Sequence, residues 1–213
     1  MTDTSKKPDY PAPHPLGSTR PDDRPVVEPY LGVWPEIDDT AYIASTAVVM
    51  GAVRIEEYAS IWHNVTLRGD GNYITIGKGT NIQDNAVVHI DSSSFPAIIG
   101  DYVTVGHSAI IHACILEDRA FVGMGAIVLD GAHVETGAVV AAGAVVTPGK
   151  RVPSGELWAG NPARLMKQID EKTQKGFQTN ATRYIEFGQA AKLGHDANPS
   201  FFTAPQLPPR QKR

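Results

Sequence analysis

Residues 120–146 read AFVGMG-AIVLDG-AHVETG-AVVAAG-AVV, which is a repeat of six residues. Each unit places a small residue, here alanine, two positions before a large aliphatic anchor, here valine. A six-residue period fits neither a helix nor a single strand pair, but it is typical of a coil built from short strands and tight corners. With three irregular spacings, the anchors recur at Ile43, Val49, Ile55, Ile61, Leu67, Ile76, Ile82, Val88, Ile99, Val105, Ile111, Leu116, Val122, Val128, Val134, Val140 and Val146.

Three such units would make one triangular coil of roughly 18 residues, and successive coils would stack at about 4.8 Å through backbone hydrogen bonds. We therefore predict a mainly β fold, a parallel β-helix of hexapeptide repeats, over residues 36–155. Extra residues after Leu67 and Val88 are interpreted as corner loops. The spacing from Ile111 to Leu116 is one residue short, and the pattern gives no reason for it.

The chain outside the repeat falls into three further segments. Residues 1–35 hold eight prolines, which remove backbone donors and favour an extended N-terminal segment. Within residues 156–194 the apolar spacing is helical over 163–193, with a break or bend expected at Gly176. We expect this helix to pack alongside the solenoid and the tail, residues 195–213, to be loose.

Composition limits the functional classes. The net charge is −4 and no basic stripe is present, so we do not expect nucleic acid as a partner. No apolar stretch reaches the ~20 residues of a membrane span, and the N-terminus lacks a signal-peptide core; we expect a cytoplasmic protein. The single cysteine, Cys114, excludes an internal disulfide and takes a small inward position of the repeat, which favours a buried structural role over a catalytic thiol.

Sorting the anchors in threes places the histidines on adjoining faces of the coil. Arg68, His89 and His112 each follow an anchor of the same face, and so form an outward column on three consecutive coils. Stacked at about 4.8 Å, His89 and His112 could bind one metal ion at the usual Zn–N distance of about 2.0–2.1 Å. His107 follows an anchor of the preceding face by two positions and therefore points around a corner.

A symmetric homotrimer would bring these histidines together, because one face of a protomer can oppose the next face of its neighbour. Two ligands would come from one chain and His107 from the next, leaving a fourth metal position open. Three imidazole nitrogens with an open position are typical of catalytic rather than structural zinc. The other histidines lack this arrangement and are interpreted as structural or solvated: His14, His63, His133 and His195.

Polar residues cluster near the predicted metal site. Gln83 directly follows an anchor and lies one coil before His107, so it could hydrogen-bond a metal-bound water or an anion. Asp84 could orient Arg68 or a ligand histidine, while Asn81 and Asp84 also suit a corner turn. Arg68 and Asp70 are interpreted as an interfacial ion pair rather than as catalytic groups.

These motifs together resemble those of the gamma-class carbonic anhydrases. The hexapeptide repeat alone is shared with many acyltransferases, but the combination of motifs is specific, and it extends over about residues 36–190. The resemblance implies a left-handed parallel β-helix, a homotrimer and a metal site at each of three subunit interfaces. The motifs that carry it are Leu67-Arg68-Gly69-Asp70, Asn81-Ile82-Gln83-Asp84-Asn85, His89, and Val105-Gly106-His107 through Ile111-His112.

The resemblance also implies the metal ligands. His89 and His112 would come from one subunit and His107 from its neighbour, as the register argument also indicates. The metal would be Zn²⁺, with Fe²⁺ or Co²⁺ as alternatives that imidazoles also accept.

The remaining site residues receive their roles from the same resemblance. Gln83 and Asn81 would lie near the metal-bound solvent and bicarbonate. Tyr184, in the terminal helix, would approach the metal. Arg68 and Asp70 would form the interface pair that fixes the site.

One stretch departs from the family pattern. Where the best-characterised anhydrases carry acidic residues that shuttle protons, this chain has Gly71 and a short loop over residues 91–96. We therefore expect proton export to limit turnover, with Asp84, Tyr184 or buffer assisting it.

The leading hypothesis is reversible hydration of CO₂ to bicarbonate, because a metal held by three histidines lowers the pKa of bound water to about 7 and yields hydroxide. Two other classes remain open. A hexapeptide acyltransferase or acyl-CoA hydrolase would share the solenoid, but an acyltransferase leaves the stacked His89 and His112 unexplained. A metal-binding assembly protein with weak or no turnover would fit the missing acidic residues.

Overall fold

The aliphatic anchors line the interior of a parallel β-solenoid, as the repeat predicts. The computed structural model describes residues 24–193; the predictions for residues 1–23 and for the tail from residue 194 lie outside the described residues. Ile61, Leu67 and Ile76, one anchor from each face, are fully buried. Cys114 is buried among them, in the structural position expected of it, and burial raises the pKa of its thiol.

Most strands of the described residues are only two or three residues long, because each face of the coil is short. They are β1 Val26–Glu28, β2 Glu36–Ile37, β3 Tyr42–Ile43, β4 Val48–Ile55, β5 Ser60–Ile61, β6 Thr66–Ile76, β7 Asn81–Ile82, β8 Val87–His89, β9 Ala97–Ile99, β10 Thr104–Val105, β11 Ile110–His112, β12 Ile115–Leu116, β13 Phe121–Val122, β14 Ile127–Val128, β15 His133–Val134, β16 Val139–Val140, β17 Val145–Val146, β18 Arg151–Val152, β19 Glu156–Ala159 and β20 Arg164–Gln168. The helix α1, Glu171–Leu193, follows them.

The strands stack on three faces with the predicted register. On the first face β5, β7, β10 and β13 align in parallel and bring their anchors opposite one another. On the second, β6, β8 and β11 place Arg68, His89 and His112 in one column. On the third, β6, β9, β12 and β15 stack in the same way. The long strands β4 and β6 bend from the second face to the third, so these two faces form one sheet.

The corners depend on residues with left-handed backbone. In the later coils glycine takes this position every six residues, for example Gly125 and Gly131, both with φ of 65°. In earlier coils asparagine takes it at two corners, for example Asn64 with φ of 59°, in keeping with the tolerance of glycine and asparagine for this region. At other early corners tyrosine, serine or arginine adopts it: Tyr58, Tyr102, Ser108 and Arg119. The short spacing after Ile111 now has an explanation: Ala113, with φ of 49°, turns the corner with one residue fewer.

The two insertions behave differently from each other. The extra residues after Val88 form a loop, in which Asp91 Oδ1 accepts hydrogen bonds from the backbone of Ser93 (3.0 Å) and Ser94 (2.7 Å). The extra residues after Leu67 do not form the predicted loop. They lengthen β6 to 11 residues, because its second half pairs with both β4 and β9.

The C-terminal helix packs alongside the solenoid, as predicted; it lies on the first face and begins later than expected. The predicted helix is wrong for residues 164–168, which form β20, antiparallel to β19. Leu165 and Met166 are exposed there, so their helical spacing does not mark a buried helix face. The backbone pairing with β19 holds these residues in a strand instead. Asp170 then caps α1 by accepting from the backbone N–H of Thr173 at 2.8 Å.

The break expected at Gly176 is also absent, since α1 runs through it without interruption. A side chain at this position would meet open space, so the glycine lies on the outer face of the helix. Glycine costs a helix about 1 kcal/mol relative to alanine, which packing of the opposite face can offset. That inner face carries Phe177 against Phe121 (ring centroids 4.5 Å apart) and a fully buried Ala181.

Parallel pairing extends beyond residues 36–155 at both ends. β1 lies beside β4, and β19 continues the first face beyond β16. Among the described residues no helix is long and apolar enough to cross a membrane.

Candidate metal centre

Two imidazoles meet on the second face of the solenoid. His89 and His112 lie opposite each other on adjacent coils, with ring centroids 5.1 Å apart. Nδ1 of His89 faces Nε2 of His112 at 3.1 Å. Two ligands bound tetrahedrally at about 2.0–2.1 Å would be separated by about 3.3 Å, so this pair of nitrogens is already spaced to share one metal ion.

A carboxylate engages the other nitrogen of each predicted ligand. His89 Nε2 lies 2.9 Å from Asp70, His112 Nδ1 lies 2.5 Å from Asp130, and His107 Nδ1 lies 2.9 Å from Asp84. A neutral ring that donates one N–H to a carboxylate has its lone pair on the other nitrogen and is fixed in direction, which is the usual support of a metal-ligating histidine. The donor set therefore fits a divalent metal.

His133 provides a useful contrast because both of its nitrogens are engaged. Nε2 lies 2.5 Å from Glu117 and Nδ1 lies 3.2 Å from an Arg151 guanidinium nitrogen. Such a ring has no nitrogen left for a metal, in agreement with its assignment as structural. His63 contacts Thr46 at 3.1 Å, while His14 and His195 fall outside the described residues.

His107 stands apart from the other two histidines. Its side chain is 43% exposed, and it lies just past β10 on the first face. Within residues 24–193 of one chain, no group of three or more His, Cys, Asp or Glu side chains is arranged to hold a metal ion. A single chain therefore brings together two of the three predicted ligands.

Arg68 and Asp70 form the predicted ion pair, and they do so within one chain. Asp70 accepts from both Arg68 and His89. Burial raises the pKa of Asp70, but the hydrogen bonds from His89 and the backbone, with the charge of Arg68, outweigh it and hold the pKa below its usual value. Asp70 is therefore an anionic partner for His89 at neutral pH.

Gln83 and Asn81 form a buried amide pair on the first face, one coil before His107. Gln83 Nε2 donates to Asn81 Oδ1 at 3.0 Å, and Asn81 Nδ2 donates to the Thr104 hydroxyl at 2.9 Å. Gln83 and Asn81 are 5% and 0% exposed. Because Gln83 uses its amide nitrogen on Asn81, its Oε1 is the end of the amide that serves as an acceptor.

Tyr184 brings α1 to this region. Its ring packs edge-on against Trp62, with centroids 5.6 Å apart. Burial raises the pKa of Tyr184, and the nearby charge of Asp84 raises it further. Tyr184 is therefore a neutral phenol at neutral pH, able to donate a hydrogen bond but not to accept a proton.

Two residues of this region were not identified from the sequence. Asp130 follows the Val128 anchor, at the corner of the coil after His112. Aspartate is common in such corners for the sake of the turn itself. Only its position next to the column of His89 and His112 could have identified it from the sequence. Thr104 carried no signal, because an outward threonine beside an anchor is ordinary in a strand.

Comparisons with known proteins agree on the fold and indicate a family. A family model described as hexapeptide repeat of succinyl-transferase matches residues 96–129 and 113–148. The crystal structure of a hexapeptide transferase family protein from Anaplasma phagocytophilum superimposes with a TM-score of 0.74 and 49% identity, covering 77% of this chain and 96% of that one.

Two curated relatives are also similar over most of the chain. Gamma carbonic anhydrase 1, mitochondrial, of Arabidopsis thaliana is 47% identical over 161 residues, or 73% of this chain and 58% of the plant protein. A carbonic anhydrase of Geobacillus kaustophilus is 40% identical over 183 residues, covering 86% of this chain and 100% of that protein. The match spans less than two thirds of the length of the Arabidopsis relatives.

Proposed function

This chain belongs to the gamma carbonic anhydrase family, and on that premise we propose that it catalyses the reversible hydration of CO₂ to bicarbonate. One observation carries the proposal: the three histidines predicted as ligands each have one nitrogen beside a carboxylate, and the second nitrogens of His89 and His112 lie 3.1 Å apart.

His89 and His112 of one chain, with His107 of a neighbour, would hold the metal. When bound, a divalent metal supplies hydroxide at neutral pH by lowering the pKa of water to about 7. Zinc is the proposed ion, although imidazole ligands would also accept iron or cobalt. The carboxylates of Asp70, Asp84 and Asp130 would orient the rings and raise their basicity.

The chain's own polar groups would then direct the reaction. Gln83 Oε1 would accept a hydrogen bond from the reacting water and so turn a lone pair toward CO₂, while Asn81 holds Gln83 in place. Asp84 would help remove the proton, and Tyr184 would donate a hydrogen bond without itself taking up that proton. Arg68 would hold Asp70 in the direction that His89 requires.

A homotrimer would complete each site. The surface around His89 and His112 supports it, because Val87 and Ile110 stand side by side there and are 37% and 40% exposed. Burial of such an apolar pair against a neighbouring chain is favourable, and cyclic symmetry would repeat the contact three times. His107, exposed on the next face, would reach the same place from the neighbour.

Two rival functions remain, and each predicts a different outcome. A metal-binding assembly protein would bind metal at the same histidines without hydrating CO₂. An acyltransferase or acyl-CoA hydrolase would turn over acyl-CoA, and the similarity to the hexapeptide transferase family protein extends to the sequence as well as to the solenoid.

Stopped-flow CO₂ hydration, with metal content quantified, tests the proposal. The wild-type chain should hydrate CO₂ in proportion to bound metal, chelation should abolish the activity, and added metal should restore it. His107→Ala should reduce hydration to the uncatalysed background. His133→Ala, which removes a carboxylate-paired histidine whose nitrogens are both engaged, should retain it. Stoichiometric metal without hydration would overturn the enzymatic proposal and favour the assembly protein.

A further inference from the structure

We infer that Thr104 is a positioning residue for the proposed hydration: its hydroxyl, held between α1 and Asn81, fixes the Asn81 amide, which in turn holds the Gln83 amide with Oε1 toward the reacting water. The expected effect of Thr104 on CO₂ hydration rests on the proposed function. Its structural role, holding Asn81 and through it Gln83, rests on the series of hydrogen bonds alone. That series runs from Asn180 through Thr104 and Asn81 to Gln83.

A backbone carbonyl determines which group donates and which accepts along this series of hydrogen bonds. The oxygen of Val103 can only accept, so the end of the Asn81 amide that lies 3.3 Å from it must be the NH₂ group. Oδ1 of Asn81 then points to Gln83, and since two amide oxygens cannot bond each other, Gln83 must present its own NH₂ group. Oε1 is left as the acceptor at the other end of the Gln83 amide.

Thr104 makes the stronger of the two contacts that fix Asn81. Asn81 Nδ2 reaches the Thr104 hydroxyl at 2.9 Å but the Val103 oxygen only at 3.3 Å. Asn180 of α1 donates to the same hydroxyl at 3.3 Å, so the helix braces the threonine from outside. Thr104 is 2% exposed, which makes a bridging water in its place difficult to accommodate.

The geometry of the face explains why the helix can have this influence. Asn81, Thr104 and Phe121 form one outward column of the first face, and α1 lies over it. Gln83 lies in the neighbouring outward column, past the buried anchor. The helix therefore reaches the support of Gln83 through the hydrogen bond from Asn180 to Thr104.

The test is a double-mutant cycle. Thr104→Val keeps the shape and removes the hydroxyl, so kcat/KM for CO₂ hydration should fall about tenfold, the value of one buried hydrogen bond. Thr104→Ser should restore activity, and Asn180→Ala should lower it in the same direction. In a Gln83→Ala background Thr104→Val should cause no further loss, because the group that it positions is gone.

Thr80→Val is the matched control. Thr80 is also a fully buried threonine, but its hydroxyl bonds only main-chain groups, the oxygen of Gly100 and the nitrogen of Val103. The Thr80→Val variant should lose thermal stability as Thr104→Val does, but its kcat/KM should stay at the wild-type value. If Thr104→Val lowers activity equally with and without Gln83, or no more than Thr80→Val does, the positioning role is wrong.

A second readout does not depend on activity. The side-chain amide signal of Gln83, identified by its loss in Gln83→Ala, should exchange slowly with solvent in the wild type and in Thr80→Val, and rapidly in Thr104→Val. Unchanged exchange in Thr104→Val overturns the inference whatever the activity. Faster exchange in a chain that does not hydrate CO₂ would keep Thr104 as a positioning residue and remove the proposed function instead.

Discussion

At the scale of single residues, the carboxylate behind each imidazole determines what the ring can do. His112 donates from Nδ1 to Asp130 at 2.5 Å, so that Nε2 is the nitrogen that faces His89. We predict that Asp130→Asn, which keeps the shape but removes the charge, weakens metal binding about 10- to 100-fold. A chelator-competition titration of the purified chain measures this directly.

Glu117→Gln is the control for that change. Glu117 contacts His133 at the same distance of 2.5 Å, but His133 lies on the third face and is not a proposed ligand. Metal affinity should therefore be unchanged in Glu117→Gln. An equal loss in both variants would mean that Asp130 acts on general stability and not on His112.

At the scale of the elements, α1 contributes a neutral phenol to the site region. The pKa of Tyr184 is raised, first by burial and then by the charge of Asp84. A raised pKa favours the protonated form, so Tyr184 stays neutral from acid pH to above the ordinary tyrosine value of about 10. We predict that the ratio of wild-type to Tyr184→Phe activity stays constant between about pH 6 and pH 9. A ratio that changes by tenfold over this range would show that the phenol exchanges a proton during turnover.

The elements also show which parts of the fold a sequence can predict. The three faces were predictable because each anchor must be buried, and a single slip would expose a whole column; Arg68, His89 and His112 inherit their alignment from those anchors. Residues 164–168 were not predictable in the same way. Their apolar side chains are exposed, and the backbone pairing with β19 leaves no mark on the periodicity.

The same reasoning explains the uneven prediction of the site. His89 and His112 follow anchors directly, so their positions derive from the repeat. Asp130 and Thr104 act through contacts between coils, and their partners His112 and Asn81 are 18 and 23 residues away in sequence. Local patterns do not report contacts across that separation unless the register of both coils is already known.

At the scale of the whole molecule, the division of the ligands between faces implies an activity that depends on assembly. His107 lies on the first face, whereas His89 and His112 lie on the second, and in the proposed trimer each site takes ligands from two chains. A chain with His107→Ala and a chain with His112→Ala should each be inactive alone. Refolded together, they should regain activity, because a site formed by His89 and His112 of the first chain and His107 of the second is intact.

The expected recovery is quantitative. In a one-to-one mixture about three quarters of the trimers contain both chains, and each of these holds one intact site in three, so roughly a quarter of the wild-type activity should return. A mixture of His89→Ala and His112→Ala is the control, and it should stay inactive because both lost ligands belong to the same side of the site. Recovery in neither mixture, with trimers formed and metal present, would contradict the sharing of ligands. Recovery in both would mean that His89 and His112 of one site come from different chains.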